Sequence, residues 1–430
     1  MYNYLNESEK IIKKLEKIKR KKFQYQPISL KDILKEMKQK IDMMIDLAYS
    51  AIKFSSKEIA DETSKIEKRI HELTFLLNLQ IIQTQTGGFK DAKALEPIVV
   101  MGYSIDKISD ALADIARVVY INSDISEFTQ LLWDDVPEPI VKITVNENCD
   151  FIGMKRKEVH FRSKYGVDLI AIKRKDNWLF EKDNEIHVGD ILIIKGEIEP
   201  IKELKKLTFD TEEISFQIDD VQKESEFNLK NPDVFDKIQE LKKNYVIITD
   251  LSETMIELAL AALFFNSYEV AEDVLEMESL MDGLNIIFEK DLLSLTQLLD
   301  NPKSLTGIMR IVFSCELISD AAAHLAENIL EGFEPHVILQ KAIEETPEIV
   351  VRETVSVDSY FKEKTYKQLQ NQQYKRGFHI IALKRKNKWI YSFKSDFIFQ
   401  VGDLLIGLGP KETVDQWRSC VNPEVSKEER

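Results

Sequence analysis

Ile108-Ser109-Asp110-Ala111 and Ile318-Ser319-Asp320-Ala321 are the same phrase 210 positions apart. Ala171-Ile172-Lys173-Arg174-Lys175 returns 211 positions later as Ala382-Leu383-Lys384-Arg385-Lys386. Trp178 returns as Trp389, and Gly189-Asp190 returns as Gly402-Asp403 after a further shift of two. A nearly constant offset through unlike segments predicts a duplicated two-part unit. Around the first phrase, Ile98, Met101, Ile105, Ile108, Leu112, Ile115 and Val119 recur at helical spacing. Two earlier runs, Ile33 to Ala48 and Ile66 to Leu77, have the same period, so residues 28–132 read as a three-helix bundle.

Around the second phrase the period changes. Ile140 to Val145, Val167 to Lys173, Trp178 to Phe180 and Ile191 to Ile194 read as strands, with helical character between Gly153 and Tyr165. Residues 133–208 therefore form a small α+β domain. The pattern recurs as a bundle over 231–340 and a small domain over 341–420, with an acidic linker at 209–230 and a charged tail at 421–430. The predicted fold class is α+β multidomain, with two three-helix bundles alternating with two small α+β domains. A domain of roughly 70 residues is marginal alone. The small domains are therefore expected to pair, within one chain or in a homo-oligomer.

The chain has 430 residues, 44% hydrophobic and 31% charged, an ordinary globular profile. A net charge of −15 argues against nucleic acid as the main partner. No apolar run approaches the roughly 18 residues of a membrane span. The amino end lacks a signal-peptide core. Cys149, Cys315 and Cys420 lie far apart, which fits a reducing compartment, so the expected location is the cytoplasm. Residues 1–27 form a basic lead-in with helical spacing. Ile11, Ile12, Leu15 and Ile18 stand among Lys10, Lys13, Lys14, Lys17, Lys19, Arg20, Lys21 and Lys22. Such a stripe suits an anionic membrane surface, which would make the protein peripheral to the membrane, an acidic partner, or the chain's own acidic body.

The third helix of each bundle stacks acids. Asp106, Asp110 and Asp114 share one face, as do Glu316, Asp320 and His324. The preceding helices offer Glu67 with His71, and Glu278 with Asp282, again four apart. Like charges at this spacing repel. A divalent metal would relieve them, since hard cations favour clustered carboxylates; a solvated acidic face is the other reading.

These helices also resemble a family. Asp106-Lys-Ile-Ser-Asp110-Ala-Leu-Ala-Asp114-Ile-Ala116 and Glu316-Leu-Ile-Ser-Asp320-Ala-Ala-Ala-His324-Leu-Ala-Glu327 are similar to the PhoU signature helix, E-R-I-G-D-H-A-x-N-I-A. The resemblance implies metal binding by Asp106, Asp110, Glu316 and Asp320, with Glu278 and Asp282 from the neighbouring helix and His71 standing for Asp282 in the first copy. Ser109 and Ala111, like Ser319 and Ala321, replace the family's Gly and His.

The small domains resemble the C-terminal domain of TrkA-type regulators of potassium conductance. The matching stretches are Ile152-Gly153-Met154, Tyr165 through Arg174, and Val188 through Gly196. The second copy keeps Ile380 through Leu383, Arg385, Gly402-Asp403 and Gly409. That resemblance implies dimerising domains, some of which bind a cyclic dinucleotide. A cyclic di-adenylate ligand would place a base against the backbone of Ile170, Ala171 and Ile172 and a phosphate on Arg174. Ile381, Ala382, Leu383 and Arg385 would form the partner half.

There is no phosphate-cradling glycine loop, no zinc spacing and no nucleophile–base pair. The expected function is non-catalytic: a regulator that senses a small ligand or ion and modulates potassium or another cation through a membrane transporter or channel. The alternatives are a metal-binding regulator of phosphate uptake and a dimerising scaffold.

Overall fold

A computed structural model describes residues 28–84, 89–121, 140–175, 177–180, 183–196, 198–208, 232–265, 267–297, 305–332, 348–370, 379–386, 388–390, 393, 396–410 and 413–423. The lead-in at 1–27, the linker at 209–230 and most of the tail lie outside them.

Among the described residues the chain is α+β. Three helices come first: α1 (Leu30–Lys53), α2 (Lys57–Thr84) and α3 (Phe89–Arg117). Ser29 caps α1 by accepting from the Asp32 N–H at 3.1 Å. The first sheet follows, with β1 (Ile140–Thr144), the single-turn α4 (Arg156–Val159), β2 (Val167–Arg174), β3 (Asn177–Leu179), β4 (Ile191–Gly196) and the flanking α5 (Ile198–Thr208). Three more helices are α6 (Pro232–Phe265), α7 (Tyr268–Thr296) and α8 (Thr306–Leu330). The second sheet comprises β5 (Glu348–Thr354), α9 (Tyr366–Gln370), β6 (His379–Arg385), β7 (Lys388–Ile390), β8 (Leu404–Pro410) and α10 (Val414–Val421). The strands lie within a few residues of their expected positions. Helix α3 runs through Pro97, with Leu95 and Ile98 buried on either side. The helical stretch between Gly153 and Tyr165 breaks into two short turns because His160 is left-handed, at φ 55°.

The six long helices share one core, since α3 lies along α8 and joins the two groups. Ile105, Ile108 and Leu112 of α3 and Ile311, Cys315 and Ile318 of α8 all lie fully buried in this core. Burial of each such side chain stabilises by about 1.5–3 kcal/mol. This is why the repeated Ile-Ser-Asp-Ala phrase has an apolar first member in both copies.

Both sheets are antiparallel and share one order, β1-β4-β2-β3 and β5-β8-β6-β7. Each has its own small core on one face. The other face docks on the helices. A bulge between Leu169 and Ala171 turns both Ile170 and Ala171 toward the bundle, while Leu169 and Ile172 stay in the sheet's own core. The second sheet has the same irregularity between Ile380 and Ala382, and Ala382 joins the bundle core. Each sheet thus buries its second face against helices.

Candidate functional site

The repeated Ala-Ile/Leu-Lys-Arg-Lys phrase can be read atom by atom. Ala171 and Ala382 are small enough to let the strand backbone lie on the bundle. Lys173 and Lys384 sit over the rings of Trp178 and Trp389, at 5.3 and 5.1 Å. Arg174 forks onto Asp190, with Nε 2.7 Å from Oδ1 and Nη2 2.8 Å from Oδ2. Arg385 does the same on Asp403, at 2.6 Å twice. The glycine before each aspartate has φ 83° or 89°, a conformation that favours glycine. The turn drives the carboxylate inward, where it also accepts from the His187 or Gln400 N–H. Burial pushes Asp190 up, but Arg174 and the His187 N–H outweigh it and hold the carboxyl below its ordinary value.

The arginines expected to meet a phosphate therefore already hold buried carboxylates. The β2 backbone expected to face a base is partly engaged as well. Arg156 donates to the Ile170 and Phe180 carbonyls at 3.0 Å, and to that of Leu169. Ile172 pairs with strands on both sides. Ile170, Ala171, Ile172, Ala382 and Leu383 bury their side chains, and Ile381 lies in β6 at the bulge.

The structure brings the first acidic group together. His71 Nε2 lies 2.9 Å from Asp110 and 3.6 Å from Asp106, and Thr74 donates to Asp106 at 3.3 Å. Ligand atoms of Glu67, His71 and Asp110 all lie within 4.8 Å of one another, a spacing one divalent ion can bridge. Resident cations already answer these acids. Arg117 pairs with Glu67 and, at 3.0 Å, with Asp114. Burial raises Asp106, and His71 offsets part of that.

The second acidic group differs in charge. Glu278 and Asp282 on α7 face Glu316 and Asp320 on α8. Position 327, the counterpart of Arg117, is a glutamate. Glu316 is pushed up to about 7, by burial first, then by a hydrogen bond with Asp282 and repulsion from its neighbours. Glu278 and Asp320 are raised too, again by burial and then by other carboxylates. No cation is among the causes that shift these three groups.

A third feature escaped the sequence reading. Lys195 on β4 reaches Glu253 of α6 at 3.0 Å and Asp46 of α1 at 3.4 Å, so the first sheet grips both helix groups at their seam. Burial pushes Asp46 up to about 7 despite Lys195, and Glu257 up to about 8 despite Arg162. The second sheet uses other residues. Arg352 pairs with Glu269 at 2.9 Å and Asp273 at 3.1 Å, and Trp389 donates to Glu276 at 3.2 Å. Leu408 stands where the first sheet has Lys195. The only sequence signals were the recurring Gly-Asp and Trp; nothing local marks Lys195 or Arg117.

Comparison with known proteins adds two domain matches. Residues 140–208 match the TrkA-C domain and residues 247–329 match the PhoU domain. No curated protein matches. Among solved structures, the GsuK channel bound to NAD is 11% identical over 75% of this chain and 65% of its own, with a TM-score of 0.16. The GsuK channel is 12% identical over 77% and 66%, at 0.18, and the GsuK RCK domain is 11% identical over 75% and 78%, at 0.16. The chain thus spans just under two-thirds of the two channel chains. Among the described residues no helix is long and apolar enough to cross a membrane.

Proposed function

We propose that this chain is a non-catalytic regulator of cation transport, potassium foremost, acting in the cytoplasm on a membrane channel or transporter carried by another chain. The observation that carries this reading is Lys195. It lies in the stretch matching the TrkA-C domain and bridges α1 and α6, so this sheet's position is tied to the helix groups. In this reading the domains run as a PhoU-like bundle at 28–132, a TrkA-C-like domain at 133–208, a second bundle at 231–340 and a second small domain at 341–420. Pairing of small domains falls to a second copy, because each sheet's inner face is already on helices.

The mechanism is a shift in docking. A ligand that prefers one placement of the small domains moves the population toward it, and the bundle passes the change to the membrane partner. The ligand proposed is cyclic di-adenylate, held at Ile170 to Ile172 with Arg174 and at Ile381 to Leu383 with Arg385. Its phosphate would share guanidinium N–H groups left over from the aspartate forks. Calorimetry of the full chain with cyclic di-adenylate tests this; a flat titration sinks the ligand. Affinity capture from native membranes tests the partner, and recovery of a potassium channel or transporter subunit is the expected result.

One observation favours a second reading, a metal-binding regulator of phosphate uptake. Glu67, His71 and Asp110 converge closely enough to hold a divalent ion, with Asp106 alongside. Elemental analysis should then find a stoichiometric ion that Asp110→Ala removes. A phosphate transporter in the capture experiment would favour this reading over the first.

A further inference from the structure

The groove along α7 and α8 has two unlike ends. At one end Ile286 and Leu293 of α7 and Met309 and Phe313 of α8 are all exposed, Leu293 at 60% and Phe313 at 61%, on helices that pack along each other. At the other end stand Glu278 and Asp282, with Glu316 and Asp320 across from them. The apolar end is unusual for surface helices, whose outer faces are ordinarily polar. The acidic end leaves carboxylates against carboxylates. α7 as a whole carries eight acids against Lys290 alone.

The corresponding groove along α2 and α3 is not equivalent. α2 balances five acids against four cations. Arg117 and His71 answer its acidic cluster, and Lys107 and His324 lie against the ring of Tyr103. Both grooves have exposed apolar residues, but at the acidic end of the α7–α8 groove Asp282 and Glu327 stand in the places of His71 and Arg117.

The chain carries a segment with the opposite pattern. In residues 10–22, Ile11, Ile12, Leu15 and Ile18 make one apolar stripe among Lys10, Lys13, Lys14 and Lys17, and Lys19, Arg20, Lys21 and Lys22 follow as an unbroken cationic run. Leu293 to Glu278 on α7 spans about 22 Å, at 1.5 Å per residue. The apolar residues and the cations of this segment therefore complement the apolar and acidic ends of the groove. We infer that the α7–α8 groove is the docking site of the chain's own basic lead-in, residues 10–22. The apolar stripe covers Ile286, Leu293, Met309 and Phe313, and the cationic run neutralises Glu278, Asp282, Glu316 and Asp320.

The test is photocrosslinking in the full chain, with p-benzoylphenylalanine in place of Phe313 and, as a control, in place of the equally exposed Val357. Products are mapped by peptide mass spectrometry. The expected result is crosslinking from position 313 to residues 10–22, in the monomer or dimer band, at about fivefold or more over the control. It should fall several-fold in roughly 0.5 M salt, and in the variant with Lys19, Arg20, Lys21 and Lys22 each changed to Glu. Crosslinks from position 313 to the α7–α8 face of a second copy would overturn the assignment, as would yields equal to the control. So would a lead-in that carries the chain onto phosphatidylglycerol vesicles in flotation while position 313 captures nothing in their absence.

Discussion

Arg174 and Asp190 form a two-point fork in which both carboxylate oxygens are held, one by Nε at 2.7 Å and one by Nη2 at 2.8 Å. The carboxylate is buried, so removal of the arginine strands a charge. Arg174→Ala should destabilise the chain by about 3 kcal/mol in denaturant unfolding. The lowered Asp190 value gives the sign with pH: the fork stabilises fully above the unfolded carboxyl value, near 4, and is lost as pH falls through the lower folded value. Arg174→Lys separates two roles. A purely structural arginine loses stability and leaves any ligand heat intact, whereas a phosphate-binding one loses the heat.

Asp46 and Glu257 behave in the opposite direction. Their folded values, about 7 and about 8, lie above their ordinary ones, so the native state binds more protons than the unfolded chain across roughly pH 4 to 8. Their contribution therefore weakens as pH rises through that window. The thermal midpoint should fall between pH 5 and pH 8, and the double change Asp46→Asn with Glu257→Gln should flatten that slope. An unchanged slope would remove these two groups as its source.

Lys195→Met should uncouple the first sheet from the helix seam. It leaves Asp46 and Glu253 without their amine at a site where both are partly shielded. Amide exchange in β4 should accelerate while α8 stays protected. The equivalent change at the second sheet is Arg352→Met, which should loosen β5 instead.

Glu316→Gln should stabilise the chain at pH 8 by at least ~0.5 kcal/mol, because burial first, and then its carboxylate neighbours, disfavour the charged form there. The gain should shrink at pH 5, where Glu316 is already protonated in the native state. Unfolding curves at the two pH values check both statements.

Ile170→Ala removes bundle-facing bulk at the bulge and leaves the sheet's own core of Leu169 and Ile172 intact. A cost of about 2–4 kcal/mol is expected. Most of it should appear as loss of protection at the sheet–bundle contact.

The elements were legible because period is local. Ile33 to Ala48 repeats at three and four residues and is a helix; Ile140 to Val145 is a short β-branched run and is a strand. The acids on α3 and α8 were legible too, since their i,i+4 spacing puts them on one face. Their environments were not. Arg117 neutralises Glu67 from 50 positions away, and no spacing rule links them. The Ala-Ile-Lys-Arg phrase was visible as a repeat, but its role was not. Its lysine stacks on a tryptophan and its arginine holds a carboxylate.

By itself, the sequence determined the helices, the strands, the repeated phrases and the charge of each segment, because periodicity and composition act over a few residues. The tertiary structure decided what faces what. The bulge at Ile170 turns a strand onto helices, and Lys195 finds Asp46 across 149 positions. The two acidic groups, alike in spacing, part company because one meets a histidine and an arginine and the other has Asp282 and Glu327 in their places. Those outcomes depend on desolvation and on partners brought together by packing, and neither is written in any one stretch of chain.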